Sequence, residues 1–175
     1  MSIPVVDLSD FLSGNEDRKN AFVQSLGSAY EEVGFVAVKN HGVPDELVAD
    51  LYRYVQQFFS LPLDHKRAYE KPDLAGQRGY TSFGKEHAKG SNAADLKEFF
   101  QFGQTIKKEN PLDSPYPENV VVKEVPEFTP TFFKAYRAFE WSGTMLMQAI
   151  ALFLDLNENY FDQYLFKATF PEINE

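Results

Sequence analysis

The sequence contains no cysteine. This absence excludes disulfide bonds, thiolate catalysis and metal centres with cysteine ligands. A cysteine-free chain fits a reducing compartment, and we expect a cytoplasmic protein.

Basic residues are scarce, with 17 Lys and Arg against 26 Asp and Glu and a formal net charge of -9. Because nucleic-acid binding depends on clustered Lys and Arg, we expect no nucleic-acid partner. No apolar run approaches the roughly 18 residues of a membrane span. The first residues, MSIPVVDLSDF, also lack the basic and apolar regions of a signal peptide. We therefore expect a soluble protein without a membrane partner.

Aromatic residues are abundant, with 17 Phe and 9 Tyr among 175 residues. A chain of this length forms one domain or little more, and it is long enough to bury a core. We expect that core to be rich in ring contacts.

Residues 33–44, VGFVAVKNHGVP, combine a predicted strand, a tight turn and the start of a helix. The β-branched run 36–38 predicts a strand, and the following His41 and Gly42 predict a tight turn. Pro44 suits the first position of a new helix. We interpret His41 as a residue that stabilises the turn, and a role as ligand or proton-transfer group is the alternative.

The rest of the chain predicts a mainly helical α+β fold. Apolar residues three or four apart predict helices at 16–33, 47–58, 61–71, 132–153 and 157–166. Strands are predicted at 3–8 and 96–102. The Gly-rich and Pro-rich segments 72–94 and 107–130 predict irregular connections, the second of them over the surface. We also expect Glu98 to be exposed and Gly143 to mark the close approach of another element.

The glycine-rich segment 77–83 carries a guanidinium, a phenol and two hydroxyl groups. Such a set can orient a small polar or carboxylate ligand. We predict substrate contacts by Arg78, Tyr80, Ser82 and Phe83. In the alternative interpretation, Arg78 pairs with a surface acid and Tyr80 packs in the interior.

No metal site is predicted. The three histidines, His41, His65 and His87, have neither an acidic residue two positions later nor another histidine at helical spacing. An iron site of two histidines and one carboxylate commonly begins with a His-x-Asp/Glu pair, whose side chains share one face of a strand. We therefore predict no catalytic residue and no metal ligand in this chain, and we expect His65 to be exposed.

Five segments occur in an order that resembles a known family. They are IPVVDLSDF, GFVAVKNHGVP, FFSLPLDHKRAYEKP, RGYTSFGKE and LKEFFQFG. Over Ile3 to Tyr164 the chain is similar to the N-terminal region of the isopenicillin N synthase-like, non-haem iron(II)- and 2-oxoglutarate-dependent oxygenases. The resemblance implies a region that packs against a jelly-roll core, with the first strand pairing with strands of that core. It also implies that the loop from Arg78 to Phe83 reaches the mouth of the active site.

After Tyr164 the sequence LFKATFPEINE departs from the family pattern. The family's His-x-Asp, distal His and Arg-x-Ser motifs do not occur. We therefore expect residues 1–164 to form the N-terminal region and residues 165–175 a tail, with most or all of the jelly roll missing. The resemblance implies iron(II), 2-oxoglutarate and a small-molecule substrate for the full-length form, and no cofactor for this chain alone.

A truncated oxygenase of this kind is expected to be inactive alone and to self-associate through exposed apolar surface. The alternative is a stand-alone, non-catalytic module that binds a partner chain or a small ligand.

Overall fold

The computed structural model describes residues 2–85, 95–104 and 117–164. These residues are mainly helical, with a few short strands. The elements are β1 (Val5–Asp7), α1 (Leu8–Phe11), α2 (Glu16–Glu32), β2 (Ala37–Lys39), α3 (Asp45–Phe59), α4 (Leu63–Arg67), a 3₁₀ turn (Pro72–Leu74), β3 (Gly79–Thr81), β4 (Phe99–Gln101) and α5 (Phe128–Phe153). Each sheet in the described part of the chain has two strands.

The described residues divide into two compact units. The first unit contains residues 2–44 and 137–164, and the second contains residues 45–85, 95–104 and 117–136. Helix α5 contributes its first nine residues to the second unit and the rest to the first.

The first unit is built on a parallel strand pair. Strand β1 pairs with β2, and Val6 lies opposite Val38. A parallel pair needs a crossover connection, which α2 provides. The apolar face of α2 and the end of α5 complete one core, and Gly27 allows contact with Phe153, since a Cβ at Gly27 would stand 2.2 Å from its Cδ2. The buried residues are Val6, Leu8, Phe11, Phe22, Val23, Leu26 and Ala149.

The second unit has an aromatic core centred on Phe58, whose side chain is fully buried. Its ring makes edge contacts with Tyr80 and Phe100 at centroid distances of 5.9 and 5.1 Å. Rings in such arrangements contribute beyond the apolar area they bury. The ring-rich core expected from the composition is thus present in this unit.

The expectation of a surface connection at 107–130 is wrong for its last part. Val120 and Val122 are buried in the core of the second unit, whereas Val121 between them is 62% exposed. This alternation is that of an extended chain packed on one side. Residues 105–116 lie outside the described part.

Helix α5 begins at Phe128, four residues before the predicted start. Pro130 stands in its first turn, where a missing N–H breaks no helical hydrogen bond. Gly143 lies within this helix, and a Cβ there would meet no atom of a neighbouring element within 4 Å. The prediction of a close approach at Gly143 is therefore wrong for the residues that the structure describes.

Residues 157–164 do not form the predicted last helix. They form successive turns, in which Tyr160 N donates to Asn157 O at 2.8 Å and Tyr164 N donates to Phe161 O at 2.9 Å. The tail 165–175 lies outside the described residues. Among the helices described, none has both the length and the hydropathy needed to cross a membrane.

Candidate functional site

The predicted contact loop contains a strand. Gly79 to Thr81 form β3, which pairs antiparallel with β4, so Tyr80 lies opposite Phe100. Gly79 has φ +77°, and a Cβ there would stand 2.4 Å from Tyr69 O. The expectation that all of 72–94 is irregular is wrong at β3, and residues 86–94 lie outside the described part.

Arg78 precedes β3 and is only 9% exposed. Its Nη1 donates to Gln77 O at 2.7 Å, and its Nε is buried with no hydrogen-bond partner in the part of the chain that the structure describes. A buried donor without an acceptor is costly and needs an explanation. The guanidinium lies against Gly103, where a Cβ would stand 2.4 Å from Arg78 Cζ.

Tyr80 is 2% exposed, and its hydroxyl donates to Glu98 Oε2 at 2.5 Å. Burial and the hydrogen bond to Glu98 raise the pKa of Tyr80 far above its ordinary value. The packed position of Tyr80 agrees with the alternative interpretation for this residue.

The expectation that Glu98 is exposed is wrong. Its side chain is 16% exposed and accepts from Lys66 Nζ at 2.8 and 3.1 Å. Lys66 is itself buried and also donates to Phe59 O at 3.0 Å. Since Lys66, Tyr80 and Glu98 are far apart in sequence, no local pattern could have indicated this cluster.

The remaining predicted contact residues lie in different environments. Ser82 is 4% exposed, whereas Phe83 is 53% exposed. Of the four residues, the structure therefore buries Arg78, Tyr80 and Ser82, and leaves Phe83 at the surface.

A cavity of about 390 Å³ opens beside β3. This volume is in the range of small-molecule sites. Glu70 lines it, and its Oε1 is buried without a hydrogen-bond partner among the described residues. The sequence reasoning missed Glu70, because a single Glu between Tyr and Lys has no distinctive spacing. The full lining is Glu70, Lys71, Pro72, Ala75, Gly76, Tyr80, Thr81 and Lys85.

A second polar cluster joins Tyr69, Glu124 and His65. The Tyr69 hydroxyl donates to Glu124 Oε2 and accepts from Lys123 N at 2.9 Å. The Tyr69 hydrogen bond is the main cause of a lowered pKa at Glu124. His65 Nδ1 lies 3.5 Å from Glu124 Oε1, and with 55% of its side chain exposed the expectation for His65 is confirmed.

In the first unit, Asp7 connects the start of the chain to the predicted turn. Asn40 Nδ2 donates to both carboxylate oxygens of Asp7 at 2.8 Å. Asp7 also caps α1 by accepting from Ser9 N at 2.9 Å. Hydrogen bonds from Ser9 first, and then from Asn40, lower the pKa of Asp7.

The turn at His41 and Gly42 packs on helix α5. His41 Nδ1 accepts from Val43 N at 3.2 Å, and Ser142 Oγ donates to His41 O. Gly42 has φ +79°, and a Cβ there would stand 2.3 Å from Trp141 Cζ3. These contacts fix His41 and Gly42 in the turn. The described residues offer His41 no group of side chains that could hold a metal ion with it.

The described residues do not fit an iron centre. They contain no group of three His, Cys, Asp or Glu side chains that could hold a metal ion. His87 lies outside the described part. We assign no step of iron chemistry to residues of this chain.

The family is shown by comparison with known proteins. A family model described as "non-haem dioxygenase in morphine synthesis N-terminal" matches residues 3–124. The chain therefore belongs to the non-haem iron(II)- and 2-oxoglutarate-dependent oxygenase family and represents its N-terminal region.

Curated relatives extend the match over almost the whole chain. Proline hydroxylase buaE of Petromyces alliaceus is 33% identical over 168 residues, which are 92% of this chain and 50% of the relative. The 2-oxoglutarate-dependent dioxygenase ecdK of Aspergillus rugulosus is 30% identical, and the match covers 92% of this chain and 52% of that protein. The chain spans about half the length of these relatives.

Solved structures share the fold. A protein from Caulobacter crescentus assigned to the 2OG-Fe(II) oxygenase family has a TM-score of 0.80 at 28% identity, covering 92% of this chain and 51% of that one. A full-length Neurospora crassa protein, solved in complex with alpha-KG, has a TM-score of 0.73 at 25% identity, covering 91% of this chain and 46% of that one.

Proposed function

We propose that this chain is the N-terminal part of an iron(II)- and 2-oxoglutarate-dependent oxygenase that acts on a small molecule. The main support is that 92% of the chain matches only 50% of a curated relative. The ligands of iron and 2-oxoglutarate belong, in this proposal, to the other half. Residues 1–164 then form the N-terminal region, residues 165–175 form a tail, and the chain alone is not catalytic.

Exposed apolar side chains support the proposal that another part of the full-length protein packs against this region. In the first unit, Ile3, Val5 and Phe35 are 59%, 56% and 70% exposed. Strand β1 pairs with one neighbour in the described residues, and a two-stranded sheet is marginal by itself. A jelly-roll core lying beyond this sequence would cover this surface and pair with the free edge of β1. Without that core, the isolated chain self-associates.

The substrate contacts are proposed for Arg78, Tyr80, Ser82 and Phe83. Arg78 supports this most strongly, since a buried guanidinium with an unpaired Nε can donate to an acceptor of a bound molecule. Phe83 offers an exposed ring for apolar contact. Tyr80 contributes through its ring, because its hydroxyl is bound to Glu98.

The proposal is tested by extending the chain. The reading frames downstream of codon 175 are sequenced, the longer protein is produced, and succinate formation from 2-oxoglutarate is measured with iron(II) for both lengths. We expect a downstream His-x-Asp motif and turnover by the longer protein alone. Turnover by the 175-residue chain, or no oxygenase frame in any phase, would overturn the proposal.

The second candidate is a stand-alone module that binds a partner chain. The same exposed residues, Ile3, Val5 and Phe35, favour it. Here no downstream frame exists, and the isolated chain forms a stable complex of defined stoichiometry with another protein.

A further inference from the structure

We propose that the cavity beside Glu70 binds a small zwitterion, a molecule with a primary ammonium group, a carboxylate and an apolar body. We call this space of about 390 Å³ the Glu70 cavity. The inference does not depend on the oxygenase function, because it concerns binding by residues of this chain alone.

The carboxylate of Glu70 is the reason for proposing an ammonium group on the ligand. Its Oε1 is buried and lacks a hydrogen-bond donor in the described part of the chain, and a buried acceptor of this kind is normally satisfied. Lys85 Nζ lies 3.9 Å from the other oxygen, Oε2, which is too long for a hydrogen bond. A ligand ammonium would supply a charge-assisted hydrogen bond to this carboxylate.

Lys71 and Lys85 are the reason for proposing a carboxylate group on the ligand. Both line the cavity, so its wall carries two positive charges against the one negative charge of Glu70. A purely cationic ligand would be repelled by this excess. Lys85 forms a long ion pair with Glu70 Oε2, and its side chain is 61% exposed, so its ammonium can also contact an anionic group at the cavity mouth.

The other residues that line the Glu70 cavity favour an apolar body in the ligand. Pro72 and Ala75 offer only carbon side chains, and both line the cavity. Tyr80 also lines it, but its hydroxyl already donates to Glu98 and leaves the ring for the ligand. An aliphatic side chain of an amino acid suits this wall.

The test is a heteronuclear NMR titration of the complete 175-residue chain with three probes. L-leucine has all three groups, isoamylamine lacks the carboxylate, and isocaproate lacks the ammonium. We expect saturable shifts at residues 70–76 and 79–81 with L-leucine, and affinities lower by about tenfold or more for the other two. No saturable shift with L-leucine, or equal affinity for isocaproate, would overturn the proposal.

Two variants locate the contact. Glu70→Gln removes the negative charge, and we expect its affinity for L-leucine to fall about tenfold. Asp73→Asn is the matched control, because Asp73 is exposed three residues away and does not line the cavity. Unchanged affinity in Glu70→Gln, or an equal loss in Asp73→Asn, contradicts the assignment. If Glu70→Gln does not fold, the comparison of the three probes on the unmodified chain tests the proposal by itself.

Discussion

The guanidinium of Arg78 lies against Gly103, where any Cβ atom would stand 2.4 Å from Arg78 Cζ and Nη2. The side chain of Asn119 forms hydrogen bonds with both the backbone N–H and the backbone C=O of Gly103. Its Oδ1 accepts from Gly103 N at 2.8 Å, and its Nδ2 donates to Gly103 O at 2.6 Å. Arg78 can therefore be buried here only because residue 103 has no side chain.

Gly103→Ala is expected to displace Arg78 and to lower the free energy of unfolding by about 1–3 kcal/mol, the usual cost of overpacking. Urea denaturation measures this loss. Gly143→Ala is the control, because a Cβ at Gly143 meets nothing within 4 Å. It should stabilise α5 by up to about 1 kcal/mol through helix propensity. Equal effects of the two substitutions would refute the contact with Arg78.

Sequence periodicity predicts the long elements well because local rules decide them. It places a helix at 16–33, where α2 spans Glu16–Glu32, and β4 falls inside the predicted strand 96–102. Periodicity does not predict the surroundings of Gly143. Its position on the apolar line of α5 cannot reveal which partner, if any, lies opposite.

The polar cluster of Lys66, Glu98 and Tyr80 is beyond sequence reasoning for a different reason. Glu98 is charged and follows Lys97, which favours exposure, although strand alternation places it on the same face as Phe100. Only the tertiary fold brings Lys66 within 2.8 Å of it. The burial of Arg78 against Gly103 is likewise a long-range contact, which the glycine-rich segment around Arg78 does not indicate.

Glu98→Ala tests this cluster. It leaves the ammonium of Lys66, whose side chain is 8% exposed, buried without its counter-ion. Breaking a buried pair in this way costs about 3–5 kcal/mol, which urea denaturation would detect. Asp50→Ala is the control, since its partner Arg53 is 57% exposed and such surface pairs contribute little. A Glu98→Ala protein as stable as the Asp50→Ala protein would show that the cluster is not a stabilising element.

Gly42→Ala tests the turn that packs on Trp141. Gly42 and Gly14 have similar positive φ values of +79° and +70°, but only Gly42 would place a Cβ against Trp141. Both substitutions incur the backbone strain of about 1–2 kcal/mol. We expect Gly42→Ala to lose a further 1–3 kcal/mol or so from overpacking and to change the Trp fluorescence. Equal stabilities of the two variants would contradict the contact between Gly42 and Trp141.

Alkaline pH tests the environment of Tyr80. Its pKa is raised above the ordinary value of 10.0, first by burial and then by the bond to Glu98. Above pH 10 the unfolded chain loses this proton while the folded chain retains it, so the unfolded state binds fewer protons and stability falls with rising pH. Denaturation between pH 9 and about 11 should show a shallower decline for Tyr80→Phe. A decline of the same slope in both proteins would contradict a raised pKa.

We propose that this chain is an oxygenase region whose iron and 2-oxoglutarate ligands lie elsewhere. Anaerobic calorimetric titration of the purified 175-residue chain with iron(II), in the presence of 2-oxoglutarate, tests it most directly. We expect no stoichiometric, high-affinity binding of the metal. One iron(II) bound per chain, with affinity strengthened by 2-oxoglutarate, would contradict it.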